Sequence, residues 1–351
     1  MVMKLGQYTS KLIDDPESLT ESDIDEALNL ILHSEETSDI AVAGFLVAAR
    51  ATNRDHREDF IATTVKNLLK EAKKFEPNNE EEFLDIVGTG GDGKNTFNVS
   101  TTSAIVVAGT GLVKVAKHGG PASTSSSGAS DLLSNLDIDL SKVTHEKMPD
   151  LLSNDFTYMS GPVFHPILAR VRDVRKQLGV PTIFNLVGPL LNPAPIKARV
   201  LGVYTPSLGR TYAEAARRLF PNKPALVVCG AEGLDEISPA GDTFIWHLLP
   251  DGTIEEKVIN PEYFGLPLHS LEEVAGGTPQ ENADIVKKLV NNELSDNDAI
   301  KDYVLLNSAA LLYASGVVSS FEDGIIAAND SIKNGGAKKS LESFTHAVKL
   351  L

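Results

Sequence analysis

The stretch Phe83-Leu84-Asp85-Ile86-Val87-Gly88-Thr89-Gly90-Gly91-Asp92, with Thr96-Phe97-Asn98-Val99-Ser100-Thr101-Thr102 just beyond it, decides the fold. A short apolar run, a glycine turn and then a helix start read as the strand, turn and helix of a parallel α/β sheet. Glycines in such a turn let backbone N–H groups come close to a ligand, and the next helix adds its positive N-terminal end, so the place suits a phosphate. Taken alone, a tight structural turn would read the same way. The spacing is neither the dinucleotide fingerprint nor the P-loop, so Lys94 is not a P-loop lysine. The hydroxyl and amide side chains of Thr96, Asn98, Ser100, Thr101 and Thr102 exceed what capping one helix requires.

Working outward, the same pattern recurs. Residues 112–116 read as a second strand and 130–136 as the helix after it. The loop between them, 117–128, runs Lys-His-Gly-Gly-Pro-Ala-Ser-Thr-Ser-Ser-Ser-Gly and includes Lys117, His118, Gly120 and Ser125. Its composition also fits a flexible linker, but long connections between sheet elements are usually functional. Further strands are expected at 200–204 and 225–229 with a helix at 208–219 between them, and 243–258 reads as a hairpin turning on Pro250-Asp251-Gly252. Residues 270–351 are mostly helical in pattern.

Upstream, the first seventy-odd residues carry helical patterns only. Thr20 caps a helix whose Ile24, Ala27, Leu28, Ile31 and Leu32 share a face. Ser38 starts a second, in which Ile40, Ala43, Gly44, Val47 and Ala48 suit close helix packing. Phe60, Ile61, Thr64, Val65, Leu68 and Leu69 mark a third. The polar stretch 76–82 is a domain boundary. The expected architecture is α/β, with a small helical N-terminal domain (1–76) hinged to a larger α/β domain (80–351) built on a mainly parallel central sheet.

Composition limits the function. The 351 residues are 42% hydrophobic and 23% charged, which excludes a disordered chain. Thirty-two Lys and Arg against 48 Asp and Glu give a net charge of −16, which argues against nucleic acid or an anionic membrane as partner. An anionic ligand must therefore be held by a local device: N–H groups, a lysine or two, or a metal ion. Cys229 is the only cysteine, which excludes an internal disulfide and fits a reducing compartment. The N-terminus lacks an apolar signal region and reads as mature. The longest apolar run, 40–49, is about half of the roughly 20 residues that span a bilayer.

Two further motifs carry candidate chemistry. In Gly233-Leu234-Asp235-Glu236-Ile237-Ser238, adjacent carboxylates follow a strand end, where they can hold a hard cation such as Mg2+ that also binds phosphates. A solvated acidic pair is the plain alternative, and the two phosphate-type loops weigh against it. The helical stretch bearing His165, Arg170, Arg172 and Arg175 runs to Gly179 and then to 182–193, Thr-Ile-Phe-Asn-Leu-Val-Gly-Pro-Leu-Leu-Asn-Pro. An arginine facing a cleft can clamp a carboxylate with two parallel hydrogen bonds, although most helix arginines are simply solvated.

Together, GTGGD, NVSTT, KHGG with its serine-rich loop, FHP, VRKQLG, TIFNLVGPLLNP and GLDEIS resemble the anthranilate phosphoribosyltransferase family in order and approximate spacing over essentially the whole chain. The resemblance implies transfer of 5-phosphoribose from phosphoribosyl pyrophosphate to the amine of anthranilate, the second step of tryptophan biosynthesis, in a cytoplasmic homodimer joined through its helical part. It also implies that residues 165–190 return to the helical domain. On the same ground Gly88, Gly91, Asp92, Thr96, Asn98, Ser100, Thr101, Lys117 and Ser125 surround the donor, and Ser100, Asp235 and Glu236 bind Mg2+. Gly88, His165, Arg175, Gly188 and Pro189 meet anthranilate, with Arg175 as carboxylate clamp. Lys117, Arg175 and His118, the last as a proton relay, are the implied catalytic residues. The family often has Asn at Gly120 and Arg at Pro181, both nearer the acceptor than the phosphates, and its typical Ser or Thr at Ala129 is a smaller loss. A pyrimidine nucleoside phosphorylase of the same architecture would not need the acidic pair, and a non-catalytic anion binder would not need intact metal positions.

Overall fold

The computed structural model describes residues 3–77, 81–122 and 125–351. Met1 and Val2, Asn78 to Glu80 of the expected boundary, and Ser123 and Thr124 of the second loop lie outside the described residues.

Four helices open the chain: α1 (Leu5–Asp14), α2 (Glu21–His33), α3 (Asp39–Ala51) and α4 (Glu58–Lys70). The α1 helix was not anticipated. At α2 the Thr20 hydroxyl accepts from the Asp23 N–H and the Asp23 carboxylate accepts from the Thr20 N–H, a reciprocal cap that fixes where the helix begins. The face expected for α3 is corrected: Val42, Phe45, Leu46 and Ala49 are buried, while Ile40 is 86% and Val47 41% exposed. Helix α3 is apolar nearly all round, so periodicity alone did not pick the buried side.

The α/β part follows as β1 (Phe83–Gly88), α5 (Val99–Ala108), β2 (Lys114–Gly119), α6 (Ala129–Ser134), α7 (Met148–Leu151), β3 (Phe156–Ser160), α8 (Gly161–Phe164), α9 (Ala169–Leu178), α10 (Ile183–Leu186), β4 (Ile196–Gly202), α11 (Pro206–Leu219) and β5 (Ala225–Gly230). The hairpin β6 (Thr243–Leu248) and β7 (Ile254–Ile259) and the helices α12 (Pro279–Val290), α13 (Ala299–Ala314), α14 (Phe321–Lys333) and α15 (Gly336–Leu350) complete it. Among the described residues seven strands form one sheet in the order β3-β2-β1-β4-β5-β6-β7. Strands β1 to β5 are parallel, and β6 and β7 run antiparallel at one edge.

Both faces of the sheet are covered. Along β5, Leu226 and Val228 join the core under α5 and α13, while Ala225, Val227 and Cys229 join the other, with α11 and the N-terminal helices. This two-residue alternation buries every strand position. Val171 and Val174 of α9 and Ile183 and Phe184 of α10 also lie in the second core, and Arg170 pairs with Asp39 at 2.9 Å. Strand order reverses between β1 and β4, and the crevice beyond the carboxyl ends at such a reversal is where parallel sheets bind ligands. Among the described residues no helix is long and apolar enough to cross a membrane.

Candidate active site

The crevice at the reversal is built by glycines. Gly88 ends β1, Gly202 ends β4, and the two pair in register. A Cβ on Gly202 would lie 1.6 Å from the Asp235 carbonyl oxygen, and one on Gly88 would lie 2.7 Å from Asp235 Oδ2. The chain after β5 thus folds back over two side-chain-free strand ends and seats Asp235 between them. There the Asp235 carboxylate accepts from the Thr89 hydroxyl at 3.0 Å and from the Gly90 N–H at 2.5 Å.

This makes an electrostatically frustrated pocket. Burial, with the Asp92 carboxylate nearby, pushes the Asp235 carboxyl up to about 7. Burial, followed by the charge of Asp235, pushes Glu236 well above the usual range against the opposing pull of Lys117 and the Ser100 hydroxyl. Oxygen donors gathered under mutual repulsion want a hard cation. Among the described residues no group of three or more His, Cys, Asp or Glu is arranged to hold a metal by itself. Asp235, Glu236 and Ser100 therefore fit an ion that keeps water or phosphate oxygens for its remaining positions, as Mg2+ does.

Lys117 and His118 were expected in a loop, and the structure corrects this: both lie in β2. The Lys117 ammonium is buried and donates to the Ile86 carbonyl at 2.7 Å. Burial lowers its pKa, and Asp85 and Glu236 oppose that shift. Lys117 is thus a countercharge beneath the acidic pair. Asp85, which sequence reasoning passed over, completes the buried set. It accepts from the His118 backbone N–H at 3.2 Å and from Asn192 Nδ2 at 2.7 Å, with Arg199 nearby. A charged residue inside the apolar run Phe83-Leu84-Asp85-Ile86-Val87 was the available signal.

The two phosphate-type loops are tied to each other. Asn98 Nδ2 donates to the Ser127 carbonyl at 2.7 Å, and the Ser126 N–H donates to Asn95 Oδ1 at 2.7 Å. The Ser125 hydroxyl donates to the Ser127 carbonyl at 3.2 Å, and Thr96 Oγ1 lies 3.5 Å from the Tyr303 hydroxyl. Thr101 is buried in the first turn of α5. Gly91 is exposed, and a Cβ there would lie 3.1 Å from the ring of Tyr204, a residue not foreseen.

On the other side, His118 and His165 meet edge to face with ring centroids 5.3 Å apart. His165 Nε2 donates to the Leu191 carbonyl at 2.7 Å, and a ring N–H of His118 donates to the Gly188 carbonyl. Burial, then His165 and Lys117, lowers the His118 pKa to about 3, so its ring is neutral at pH 7. Its Nε2 is buried with no hydrogen-bond partner among the described residues. Pro189 is buried.

Of the three arginines, Arg170 is spent on Asp39 and the Thr37 carbonyl, and Arg172 pairs with Asp173. Arg175 has no carboxylate partner among the described residues. Its guanidinium lies 5.8 Å from the centroid of the Phe184 ring, its Nε is buried without an acceptor among the described residues, and burial lowers its pKa. Gly120 has no positive φ, and a Cβ there would meet nothing within 4 Å among the described residues. The backbone therefore does not force the departure from Asn at this position.

Fold and site define a phosphate-handling glycosyl transferase, and the model of the glycosyl transferase family, a/b domain, matches residues 80–338. The chain is 47% identical over 323 residues to the anthranilate phosphoribosyltransferase of Schizosaccharomyces pombe, covering 91% of this chain and 90% of that protein. It is also similar to two structures of the Saccharomyces cerevisiae enzyme. One, in complex with phosphoribosyl pyrophosphate and Mg, has a TM-score of 0.93 at 40% identity. The other, in complex with 4-fluoroanthranilate, has a TM-score of 0.91 at 38% identity. Each comparison covers 99% of this chain and 98% of the other. The chain belongs to the anthranilate phosphoribosyltransferase family.

Proposed function

We propose that this chain transfers 5-phosphoribose from phosphoribosyl pyrophosphate to the amine of anthranilate, giving N-(5-phosphoribosyl)anthranilate and pyrophosphate, the second step of tryptophan biosynthesis. The observation that carries this reading is the buried Asp235-Glu236 pair, with Asp235 seated between the glycine ends of β1 and β4 and N–H-rich loops on the same edge.

In this reading Gly88, Gly91, Asp92, Thr96, Asn98, Ser100, Thr101, Lys117 and Ser125 surround the donor. Ser100, Asp235 and Glu236 hold Mg2+, which when bound neutralises the charge growing on the departing pyrophosphate. Fixed N–H donors of the glycine loop stabilise the same charge without reorganising. Arg175 clamps the anthranilate carboxylate, while Gly88, His165, Gly188 and Pro189 shape the pocket around the ring. An aromatic amine is neutral and nucleophilic at pH 7, so it needs positioning more than a base. Bond formation leaves an acidic anilinium, and in this reading its proton passes to Nε2 of His118, which is neutral at pH 7 and has no hydrogen-bond partner among the described residues.

Residues 1–76 with 165–190 form one domain in this account and 80–351 the other, supported by the Arg170–Asp39 pair and the core shared by α9, α10 and the N-terminal helices. The exposed stripe of Ile40, Gly44 and Val47 on α3, with Ile13 on α1, is the face a second copy would cover in a homodimer. Buried, unpaired Cys229 supports a cytoplasmic location.

The test is pyrophosphate release from phosphoribosyl pyrophosphate and Mg2+ with anthranilate, 3-aminobenzoate or 4-aminobenzoate as acceptor. Release should depend on anthranilate. Turnover of another aminobenzoate with none of anthranilate would overturn the acceptor, and no acceptor-dependent release at all would overturn the reading.

A further inference from the structure

Asn98 occupies the N-cap position of α5, where an asparagine side chain ordinarily accepts from an N–H of the first turn. Here it makes no such bond. Its Oδ1 is taken instead by Asn282 Nδ2 at 2.8 Å, and its Nδ2 donates to the Ser127 carbonyl at 2.7 Å. Asn282 sits in the first turn of α12, 1% exposed, and its own Oδ1 accepts from the Gly277 N–H at 2.8 Å. The three bonds run in one direction, from the Gly277 N–H through two amides to the Ser127 carbonyl. Fixing the first donor fixes both amides, because reversing either would set like against like.

The surroundings hold this relay in place. The Thr278 hydroxyl accepts from the Glu281 N–H and the Glu281 carboxylate accepts from the Thr278 N–H, which pins the start of α12. Just before it, the Gly276 N–H donates to the Asn95 carbonyl at 2.8 Å, and the Phe97 N–H donates to the Val274 carbonyl at 2.8 Å. The Ser126 hydroxyl donates to the Gly277 carbonyl at 2.7 Å. A Cβ on Gly276 would stand 2.6 Å from the Thr96 carbonyl oxygen. Residues 274–282 therefore form a third wall against both phosphate-type loops, although the sequence places them more than 140 residues from either.

We propose that Asn282 is a positioning residue for the phosphoribosyl donor. By occupying Asn98 Oδ1 it keeps that amide from capping α5, leaves the Ser100 and Thr101 N–H groups that such a cap would take for a phosphate, and turns the Asn98 NH2 onto the serine loop so that both loops close on one ligand. This rests on the donor reading given above. Asn282 meets no substrate itself and acts through Asn98.

Two variants test it, each measured for phosphoribosyl pyrophosphate·Mg2+ binding by calorimetry, for KM of both substrates, and for thermal stability. Asn282→Ala removes the donor to Asn98. Asn282→Asp keeps size and the acceptor for Gly277 but cannot donate, so it covers the case in which Asn282→Ala fails to fold. Both should weaken the donor roughly tenfold, as expected for a lost buried hydrogen bond, with KM for anthranilate within about twofold of wild type. Asn98→Ala alone and Asn98→Ala with Asn282→Ala should be nearly alike, because the effect passes through Asn98. Additive losses, equal damage to both substrates, or a lowered melting temperature with unchanged donor binding would overturn the proposal. If wild type bound no phosphoribosyl pyrophosphate·Mg2+, the donor reading would fail and this inference with it. If wild type binds it and Asn282→Asp binds it equally well, only this inference fails.

Discussion

Replacing Gly202 by Ala probes the seat of Asp235 without touching a single ligand atom. The added methyl would stand 1.6 Å from the Asp235 carbonyl oxygen and 2.5 Å from its carbonyl carbon, both backbone atoms. No side-chain rotation relieves that clash. The 233–238 segment must retreat by at least about 1.4 Å to restore even a tight 3.0 Å separation. A reacting group misplaced by about 1 Å costs roughly 100-fold in rate, and overpacking of this kind costs about 1–3 kcal/mol of stability. We therefore expect kcat/KM for phosphoribosyl pyrophosphate to fall at least about 100-fold. The Mg2+ concentration giving half-maximal rate should rise, and KM for anthranilate should stay near wild type. The assay is pyrophosphate release over a Mg2+ series, with a thermal melt to confirm folding. As a control for folding, Gly188→Ala adds a methyl with nothing within 4 Å among the described residues and should fold as stably as wild type. A folded Gly202→Ala protein with wild-type Mg2+ dependence and kcat/KM would refute the claim that the glycine strand ends position the acidic pair.

Arg175→Ala should raise KM for anthranilate by roughly 10- to 150-fold, the equivalent of about 1.5–3 kcal/mol for a lost charge-assisted bond, with little change in KM for the donor. Asp55 gives a pH test. Its carboxyl is buried, neither oxygen has a hydrogen-bond partner among the described residues, and burial pushes its pKa up to about 7 against the opposing pull of Arg50. The folded state therefore holds this proton more tightly than the unfolded chain does, so stability is lost as pH rises from about 4 through about 7. Asp55→Asn removes that loss, and its melting temperature should exceed wild type by more at pH 8 than at pH 5; an equal gap at both would count against the assignment. If two copies pair through the exposed face of α3 as proposed, wild type should run as a dimer in light scattering and Val47→Asp as a monomer with a nearly unchanged melt; a monomeric wild type would refute the pairing, and a dimeric variant would place the interface elsewhere.

The strand, turn and helix at 83–108 were legible because local signals agreed: an apolar run, a glycine turn and a hydroxyl-rich helix start. Strand β2 was read two residues early and too short, since Lys117 and His118 look like loop residues. They enter the strand because Asp85, Glu236 and the Gly188 carbonyl, all distant in sequence, accept their charge or N–H. Strand β3, Phe156–Ser160, went unread although Ser153-Asn154-Asp155 and Gly161-Pro162 bound its five residues with turn signals. The acidic pair was visible as a motif, but its burial depends on Gly88 and Gly202, whose roles appear only when β1 and β4 lie side by side. Arg175 could not be told from Arg170 and Arg172 by spacing. The packing of α9 on α3 separates them by giving Arg170 the Asp39 carboxylate. Asn282 carried no local signal, because its partner Asn98 lies 184 residues away.

The most direct test of the account is the double variant Asp235→Asn with Glu236→Gln, assayed for pyrophosphate release at limiting Mg2+ alongside a melt in the absence of metal. Neutral amides roughly keep the shape of the site but remove the charge that holds the ion. Turnover should fall by orders of magnitude. The metal-free protein should melt no lower than wild type, because two buried, mutually repelling carboxyls have been neutralised. Near-normal turnover by a folded double variant at limiting Mg2+ would contradict the assignment of this pair as the metal and pyrophosphate site.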